Sequence, residues 1–402
     1  MSNKRILWIM SIAQFLAMQV WFNFSAVMPV IEKEWDLTST QSGVIITFFH
    51  IGYVAAIILY SILIDKYNPK YFFVYGALAA GISGLIFAMF AQSFWSILLL
   101  RMISGIGIAG VYVPGMRMLT NLFEPNERGS ALGVYVGSLV VGSGFSLFIS
   151  GLLIDIIGWE GVIFVTSSFS LAAAVLMYLL KIPSIKNNTS ITLKKDIFKR
   201  VFRKENLLIN GGYAGHTWEL YSMWAWIGPF LVYYFSIHGY SQSQSIQFGN
   251  LLGAIVIMIG GVATYIGGKL SDSFGRIKMV NVFLIISITC SLCIGWLLEI
   301  PLLVMLFLVV IYGFTIVADS PIYNVAISEV SDPEVIGLAL GVQSVLGFST
   351  TIFSPLIFGI VLEWFNWGMA FSVIGIVTIT APICMFCLGR IQKNRNTKSE
   401  AT

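Results

Sequence analysis

The polar stretch GGKLSDSFGRIK, residues 267 to 278, separates two long apolar runs of the sequence. It holds a carboxylate, Asp272, and a guanidinium, Arg276, at the point where one apolar run ends and the next begins. A hydrogen-bonded pair of this kind at two helix ends can be formed in one conformation and broken in another. A static staple of the loop is the alternative. The length and composition of the flanking apolar runs decide whether this loop joins two helices that cross a membrane.

Composition places the chain in a lipid bilayer. Of its 402 residues, 57% are hydrophobic and 10% are charged, against about 25% charged residues in soluble domains. So few charges do not provide a water-facing surface. We therefore expect an all-α integral protein of the cell (inner or plasma) membrane, and we interpret its net charge of +4 as a signal of topology rather than of nucleic-acid binding.

Apolar runs long enough to cross the bilayer recur along the chain. A hydrocarbon core of about 30 Å needs roughly 20 apolar residues per helix. The first run is longer than a signal peptide and lacks a small-x-small cleavage site, so we interpret it as a crossing. The sequence predicts twelve transmembrane helices, at residues 6–30, 42–64, 72–91, 95–117, 129–153, 160–181, 207–235, 246–267, 279–297, 301–323, 335–362 and 367–389.

Positive charge is concentrated on one side of these predicted helices. When alternate loops are assigned to alternate sides, all of the 23 Lys and Arg residues except Lys33 and the membrane-embedded Arg101 fall on the side of the N-terminus. Cytoplasmic loops carry such an excess of cations. Both termini are therefore predicted to face the cytoplasm.

The chain contains two copies of one unit. EPNERGSALGV at 124–134 aligns with DPEVIGLALGV at 332–342, and GLLIDIIGW at 151–159 aligns with GIVLEWFNW at 359–367, both at an offset of 208 residues. Such repeats predict two related six-helix bundles. We expect the cations of the segment between them to face the anionic inner leaflet. The predicted domains are an N-terminal bundle at 1–181, a basic cytoplasmic linker at 182–206, a C-terminal bundle at 207–390 and a cytoplasmic tail at 391–402.

The 267–278 loop resembles the loop signature of the major facilitator superfamily, G-x-L-(S/A)-D-x-(F/Y)-G-R. The matching residues are Gly268, Leu270, Asp272, Phe274, Gly275 and Arg276. The first-half copy, SILIDKY at 61–67, keeps Leu63 and Asp65 but has serine in place of the glycine. With the two halves and the basic linker, the resemblance covers the whole chain. It implies the superfamily fold, with twelve transmembrane helices in two pseudo-symmetric six-helix bundles, and secondary transport by alternating access.

The resemblance favours a cytoplasmic gate formed by the charges of the two loop copies, with the static staple as the alternative. The expected contacts are Asp65 with Arg117 or Arg128 in the first half, and Asp272 and Arg276 with Glu329 or Glu334 in the second half.

Few ionisable residues lie deep within the predicted helices, and each costs about 2.5–3.5 kcal/mol on insertion scales. Such groups need a partner or a watery cavity. His216 and Glu219 share one helix face at a spacing of three residues, so we predict that both line a central cavity. Glu219 would take and release a proton, and His216 would tune it or bind solute. The alternative is a permanently paired His-Glu staple with Arg101 as a third member.

Arg101 is a fixed positive charge within the fourth predicted helix. Its partner is either an anionic group of the solute or a carboxylate, Glu219 or Asp319, and the sequence leaves both open. Asp319 precedes Pro321, where a broken helix frees backbone carbonyls; it is either a second proton site or a gate residue. These groups have no counterpart at the 208-residue offset, which favours a role in chemistry over one in the scaffold.

Further residues complete the predicted solute and proton pathway, although each of them singly is more often a packing or interhelical contact. The four cysteines lie in apolar spans without His or acidic co-ligands, and no phosphate-binding loop is present, so we expect neither a metal nor a cofactor. The additional pathway residues are His50, Asn23, Gln19, Tyr112, Tyr221, Trp224 and Gln343.

Secondary transport of a small polar solute is the leading hypothesis for the function. Arg101 favours a small organic anion carried by a proton-coupled symporter. The alternative is a proton-driven exporter of drugs or metabolites, although the fifth helix, GVYVGSLVVGSG from Gly133, lacks the Gly-Pro pair typical of drug antiporters. A multi-span enzyme needs a nucleophile-base set or a metal cluster, and a receptor needs a sizeable soluble domain; the sequence shows neither. We expect a monomer whose partners are the solute, protons and the bilayer.

Overall fold

A computed structural model describes residues 2–64, 66–91, 93–182, 199–332 and 334–400. These ranges are predominantly helical and contain no β-strand. The helices are α1 (Asn3–Ala17), α2 (Gln19–Glu34), α3 (Ser39–Leu63), α4 (Pro69–Phe90), α5 (Phe94–Leu122), α6 (Pro125–Leu179), α7 (Lys204–Ile237), α8 (Gln242–Phe274), α9 (Arg276–Ile294), α10 (Leu302–Ala318), α11 (Ser320–Val330), α12 (Ile336–Thr350), α13 (Ser354–Trp364), α14 (Trp367–Thr378) and α15 (Thr380–Glu400).

Ten segments of the described ranges are long and apolar enough to cross a membrane, which confirms the all-α membrane class. One of them, Glu127–Leu179, has 53 residues. At 1.5 Å per residue this is about 80 Å of helix, more than twice the thickness of the hydrocarbon core. Within it Gly158 has φ 70° and ψ 176°, a conformation open to glycine because it has no Cβ. The fifth and sixth predicted crossings are thus joined by a sharp bend at Gly158, and the full count of twelve stays a prediction.

Four predicted crossings are each built from two consecutive helices. α1 and α2 meet at Met18, α10 and α11 meet at Asp319, and the α12/α13 and α14/α15 pairs are divided in the same way. At the second break Pro321 lies in the first turn of α11, where its missing N–H leaves no hydrogen bond unmade. The helix break predicted before Pro321 is therefore present.

The chain forms two compact units that do not follow the order of the sequence. Unit 1 contains Met1–Ser190, Met223–Gly261 and Pro355–Trp364. Unit 2 contains Ile191–Ser222, Val262–Ser354 and Phe365–Thr402. The boundary divides α7 at Met223, so the residues around His216 belong to unit 2. The six-plus-six division expected from the sequence repeat stays a prediction.

Glycines bring α5 of unit 1 into backbone contact with α3. A Cβ on Gly105 of α5 would lie 1.9 Å from the carbonyl oxygen of Phe49, and one on Gly52 of α3 would lie 2.1 Å from that of Met102. Small residues allow such close approach between membrane helices, where packing rather than the hydrophobic effect holds helices together. This contact places the α5 side chain of Arg101 beside α3.

Polar contacts join α8 and α13 to the first helices within unit 1. The side-chain amide of Asn250 donates to the carbonyl oxygen of Ala26 at 2.8 Å. The backbone N–H of Thr40 donates to the carboxylate of Glu363 at 2.9 Å. Asn250 is fully buried, so its bond satisfies a polar group that would otherwise be costly. These contacts hold segments of the second sequence half in unit 1.

In unit 2, α8 approaches the break between α10 and α11 at Gly267, the first residue of the polar loop. A Cβ on Gly267 would lie 2.0 Å from the carbonyl oxygen of Ala318, whereas one on the adjacent Gly268 would meet nothing within 4 Å. The two glycines therefore differ in the packing that each requires.

Replacing Gly267 with alanine is expected to destabilise the protein by about 1–3 kcal/mol, because backbone atoms on both sides must move apart. Gly268→Ala is the matched control and should leave the melting temperature of the purified protein unchanged or slightly raised. Equal melting temperatures for the two variants would contradict the close contact of α8 with Ala318.

Candidate functional site

Arg101 is buried within unit 1 with only uncharged hydrogen-bond acceptors. Its side chain is 3% exposed. Nη1 donates to the carbonyl oxygen of Val20 and to Oδ1 of Asn23, both at 3.0 Å, and Nη2 donates to the carbonyl oxygen of Trp21 at 3.0 Å. The guanidinium also lies 4.6 Å from the ring centroid of Phe49, a cation-π contact. Its charge is therefore not neutralised by a carboxylate among the described residues.

The amide of Asn23 is held in one orientation by two partners. Its oxygen accepts from Arg101, and its nitrogen donates to the hydroxyl of Thr166 at 3.0 Å. Thr166 in turn donates to the carbonyl oxygen of Val162 at 2.8 Å. This chain connects α5, α2 and α6, and it fixes the position of the guanidinium.

Two N–H donors of Arg101 remain available. A guanidinium has five N–H groups, and three of them make the bonds to α2 described above. The Nε–H is buried and meets no acceptor within the described part of the chain. Nε–H and the remaining Nη2–H are carried by neighbouring nitrogens, which together bind carboxylates in a bidentate manner. Nε–H is thus an unused donor on a buried cation.

Four other predicted pathway residues also lie in unit 1. The amide of Gln19 donates to the carbonyl oxygens of Phe15 and Gly142, each at 3.0 Å, and the other three pack through their rings or a backbone bond. Contacts of the other three residues include His50 Nδ1 to the carbonyl oxygen of Ile46 at 3.0 Å, Tyr112 stacked on Tyr135 at 6.5 Å, and Trp224 edge-on to Phe22 at 5.9 Å.

His216 of unit 2 connects two side chains at the break between α10 and α11. Its Nδ1 lies 2.8 Å from Oδ1 of Asp319, and its Nε2 lies 2.7 Å from the hydroxyl oxygen of Ser320. The side chains of His216 and Asp319 are 2% and 1% exposed, whereas Ser320 is half-buried. The ring stacks against Tyr213 of its own helix. Ser320 is not among the residues predicted from the sequence, although its position beside Asp319 was a usable signal.

Glu219 faces other elements of unit 2. Its Oε2 accepts a hydrogen bond from the hydroxyl of Ser287 on α9 at 3.0 Å, and the hydroxyl of Tyr312 on α10 is a second neighbour. The carboxylate is 1% exposed and is close enough to Asp319 for electrostatic interaction. Unit 2 therefore encloses two acids and one imidazole in a small volume.

These contacts revise the expected partners of the buried charges. His216 pairs with Asp319 rather than with Glu219, so the His-Glu staple is not formed. Arg101 pairs with backbone and amide oxygens rather than with Glu219 or Asp319. The helical spacing that placed His216 and Glu219 on one face did not identify their partners, since these come from α9, α10 and α11. That the two residues line a cavity stays a prediction.

Tyr221 and Gln343, the last two predicted pathway residues, make packing contacts in unit 2. The ring of Tyr221 lies 5.5 Å from that of Phe348. The amide of Gln343 donates to the carbonyl oxygen of Tyr323 at 3.4 Å, which joins α12 to α11. Both are packing or interhelical contacts, which is the more common role for such residues taken singly.

The polar loop carries the expected ion pair at the end of α8. Arg276 contacts Asp272 within the loop and the carboxylate of Glu329 on α11, with Nη2 3.2 Å from Oε1. It also donates to the hydroxyl of Ser271 at 2.7 Å. Glu334, the alternative partner, instead accepts from Arg200 at 2.6 Å. Glu329 is thus the acid that Arg276 meets.

The gate expected in the first half of the chain includes Asp65. Asp65 lies outside the described residues, and with it the contact expected with Arg117 or Arg128. Arg128 donates to the carbonyl oxygen of Phe123 at 3.3 Å.

Two cations of the predicted linker pair with an acid of unit 2. Arg203 Nη2 lies 2.5 Å from Oδ1 of Asp332, and Arg200 Nη1 lies 3.6 Å from Oδ2 of the same residue. The hydrogen bond from Arg203 holds the pKa of the Asp332 carboxyl below its usual value, so the pair persists at neutral pH and is lost only when acid protonates that carboxyl. The end of the linker is therefore fastened to the loop that follows α11.

A separate cavity of about 710 Å³ in unit 1 is lined by aromatic and acidic residues, including Glu34, Trp35, Trp159 and Glu160. It contains none of the candidate residues. The predicted pathway residues are therefore distinguished by their burial, charge and hydrogen-bond partners, and not by lying in this cavity.

The comparison with known protein families agrees with this architecture. A family model described as Major Facilitator Superfamily matches residues 10–351. The chain belongs to the major facilitator superfamily. This confirms the resemblance of the polar loop to a superfamily of membrane transporters.

Three curated relatives within the superfamily have names that specify a solute. The chain is 24% identical over 359 residues to a hexuronate transporter of Bacillus subtilis, covering 84% of this chain and 83% of the relative. It is 24% identical over 289 residues to a probable sulfoacetate transporter, SauU, of Cupriavidus necator, covering 67% and 65%. It is 38% identical over 136 residues to a nitrate/nitrite transporter, NrtP, of Picosynechococcus sp., covering 34% and 25%. The chain therefore matches 65% of the length of the sulfoacetate transporter and 25% of the length of the nitrate/nitrite transporter.

Solved structures of the superfamily share the fold of the chain. A bacterial homolog of the human lysosomal transporter Spinster, in an inward-facing and occupied conformation, superposes with a TM-score of 0.77 at 17% identity, covering 96% of this chain and 97% of the other. A mutant of the nucleoside transporter NupG gives a TM-score of 0.77 at 12% identity, covering 95% and 99%. At these identities the likeness concerns the fold alone.

Proposed function

We propose that the protein transports a small organic anion and that proton movement drives the transport. One observation carries the choice of an anion: Arg101 is buried, its three acceptors are uncharged, and its Nε–H meets no acceptor in the described ranges. A buried charge of this kind is costly until an opposite charge joins it. The hexuronate, sulfoacetate and nitrate named for the relatives are all anions, which supports the proposal.

The proton sites in this proposal are the acids of unit 2. Glu219, Asp319 and His216 are enclosed together, and two carboxylates facing one imidazole cannot all be charged without a net negative charge in a low-dielectric region. At least one of these groups therefore exchanges a proton when its surroundings change. Glu219 is our choice, because Asp319 already has His216 as its partner.

The proposed orientation follows from the distribution of cations. We place both termini in the cytoplasm of a cell that carries the protein as a monomer in its plasma membrane. The two six-helix halves of the sequence, 1–181 and 207–390, would rock about a central site. The Arg276–Glu329 pair would then lie on the cytoplasmic side as a latch that opens and closes with that motion.

The latch can be tested with Arg276→Gln, Glu329→Gln and the double variant. The two side chains are 24% and 52% exposed, so breaking the pair should cost at most about 1 kcal/mol of stability. Transport should slow several-fold in each single variant and no further in the double variant, because the pair acts as a unit. Effects on the transport rate that add, or a rate equal to that of the wild type, would identify a static loop contact instead.

The choice of an anion is tested by thermal stability. Purified protein would be heated with nitrate, sulfoacetate, glucuronate or glucose 6-phosphate, and with glucose as the neutral analogue of the last two. A ligand at about 100 times its Kd stabilises the folded state by about 2.7 kcal/mol. We expect at least one anion to raise the melting temperature and glucose to leave it unchanged. An equal effect of glucose, or no effect of any anion, would contradict the proposal.

A further inference from the structure

We propose that the cavity of about 710 Å³ in unit 1 binds a small organic cation through its ammonium group. This inference goes beyond the proposed function, because it involves neither Arg101 nor the acids of unit 2 and needs neither an anion nor a proton. The cavity is apart from those residues, so transport does not require that it be occupied. Its volume lies within the range of about 300–1,000 Å³ that is usual for small-molecule sites.

The cavity lies where three connections of unit 1 meet. Its lining comes from the α2–α3 connection around residues 34–37, the α4–α5 connection around residues 88–94, and the bend of α6 at residues 159–160. In the proposed orientation all three connections face the outer side of the membrane. Glu34 and Asp36 of the lining are exposed, so a solute can reach the cavity from water.

Two indole rings line the cavity at nearly a right angle to each other. The rings of Trp35 and Trp159 have centroids 5.9 Å apart and an interplanar angle of 85°. Trp159 is held in place, because its Nε1 donates to Oε2 of Glu34 at 2.8 Å and its ring packs against that of Phe87 at 5.9 Å. Perpendicular indole faces can contact one cationic group from two sides. This arrangement is used to recognise ammonium ligands.

The lining of the cavity is also negatively charged. Glu34, Asp36 and Glu160 contribute three carboxylates, and no described residue of the lining is Lys, Arg or His. Lys33, the neighbour of Glu34 in the sequence, instead donates to the side chain of Gln242 at 2.8 Å. The carboxylates therefore repel an anion, whereas a cation compensates their charge.

An organic cation suits this lining better than a metal ion does. The described part of the chain contains no group of three His, Cys, Asp or Glu side chains placed to hold a metal. An ammonium group carries apolar carbon atoms that Trp35, Met89 and Phe94 of the lining can contact. The alternative role of Trp159, that of an anchor at the membrane surface, does not fit its exposure of 5% and its hydrogen bond to Glu34.

The first test measures binding of choline and ethanolamine to the purified protein by isothermal titration calorimetry. The control ligand is 3,3-dimethyl-1-butanol, which has nearly the shape of choline without its charge. We expect at least one of the two cations to bind, and the neutral alcohol to bind at least about tenfold more weakly than choline or not at all. Equal binding of choline and the alcohol, or no binding of either cation, would overturn the proposal.

Variants of the lining test the two parts of the site. Trp35→Ala should weaken binding of the cation by about tenfold or more, and Trp35→Phe, which keeps a ring, by only about threefold. Glu34→Gln should also weaken binding by about threefold; its amide oxygen can still accept the bond from Trp159, so this loss reports the charge. Trp364→Ala and Glu299→Gln change exposed residues outside the cavity and should bind as wild type does. Wild-type affinity in both Trp35→Ala and Glu34→Gln would overturn the proposal.

Fluorine NMR locates the bound cation. The chain has 11 tryptophans, and in protein labelled with 5-fluorotryptophan the variants Trp35→Phe and Trp159→Phe assign the two rings of the lining. Choline should shift both of these resonances and leave that of Trp364 in place. A shift confined to other tryptophans would place the cation elsewhere and overturn the proposal.

The ammonium group could belong to a soluble amine or to a lipid head group, and the choice of lipid separates these sources. Choline binding would be measured in nanodiscs of phosphatidylglycerol alone and in nanodiscs that also contain phosphatidylcholine. Weaker binding in the second kind identifies the head group as an occupant, whereas equal binding identifies a soluble amine. Both results support an ammonium site, and loss of choline binding in both kinds of nanodisc contradicts it. None of these outcomes affects the proposed transport of an anion, which is measured with other ligands.

Discussion

Glu219→Gln is expected to abolish proton-driven accumulation of the solute while exchange of solute across the membrane continues. The amide has nearly the shape of the carboxyl group, and its oxygen can accept the hydrogen bond that Ser287 donates to Glu219 at 3.0 Å in the wild type. The fold should therefore be retained. It cannot bind or release a proton in the physiological range. We expect proton-driven uptake into vesicles to fall by about 100-fold or more, the scale of effect seen when a proton-transferring group is lost.

The control for this variant is Glu160→Gln, which changes an exposed carboxylate of α6 in the same way and should accumulate solute normally. Loss of exchange as well as accumulation would indicate a folding or binding defect rather than a loss of coupling. Accumulation at the wild-type level in vesicles with an imposed proton gradient would remove Glu219 from the mechanism.

Arg101→Lys is expected to reduce transport by about 10–100-fold. The guanidinium bonds to Val20, Trp21 and Asn23 through two nitrogens and keeps Nε–H available. An ammonium group has one nitrogen and no planar fork, so it cannot hold these acceptors and also bind an anion in a bidentate manner. A lost hydrogen bond to a charged group costs about 1.5–3 kcal/mol, which corresponds to the expected range. Uptake of the solute and its binding affinity are the measurements.

Arg5→Lys, an exposed substitution in α1, is the control for Arg101→Lys and should transport as wild type does. If Arg101→Lys also transports normally, the residue serves only as a generic cation. If it fails to fold, as judged by its melting temperature, the main role of Arg101 is to hold α2 against α5.

The sequence predicted the membrane class because composition and run length alone decide it. The transporter family followed from the polar loop, since six of its residues match a specific pattern. The break at Asp319 followed from Pro321, whose missing N–H limits its place in a helix. The bend in α6 at Gly158 could also be predicted, because the 53 residues of this segment are too many for one crossing of the bilayer.

The partners of the buried charges were beyond the sequence. Membrane helices that are apolar on every side give no periodicity that shows which face meets which neighbour. Spacing placed His216 and Glu219 on one face, but which helix faces each was decided by the packing of α7, α9, α10 and α11. Ser287 carries no charge and lies in an apolar run, so nothing in the sequence marked it, whereas Ser320 was marked only by its position beside Asp319.

The linker cations illustrate a second limit. The charge of a basic segment between two membrane halves predicts contact with an anionic leaflet, but it does not show which acids of the chain the segment pairs with. The pairing of Arg200 and Arg203 with Asp332 depends on a loop about 130 residues further along the chain. Long-range pairs of this kind emerge only when the helices are placed.

The most direct test of the central claim is the internal pH of proteoliposomes that contain the purified protein. Addition of glucuronate, or of whichever tested anion stabilises the protein, should make the lumen of wild-type vesicles more acidic as anion and protons enter together. Vesicles with Glu219→Gln or Arg101→Lys should show no such change. Entry of labelled anion into wild-type vesicles without any change of internal pH would contradict the account, as would full acidification in the Arg101→Lys vesicles.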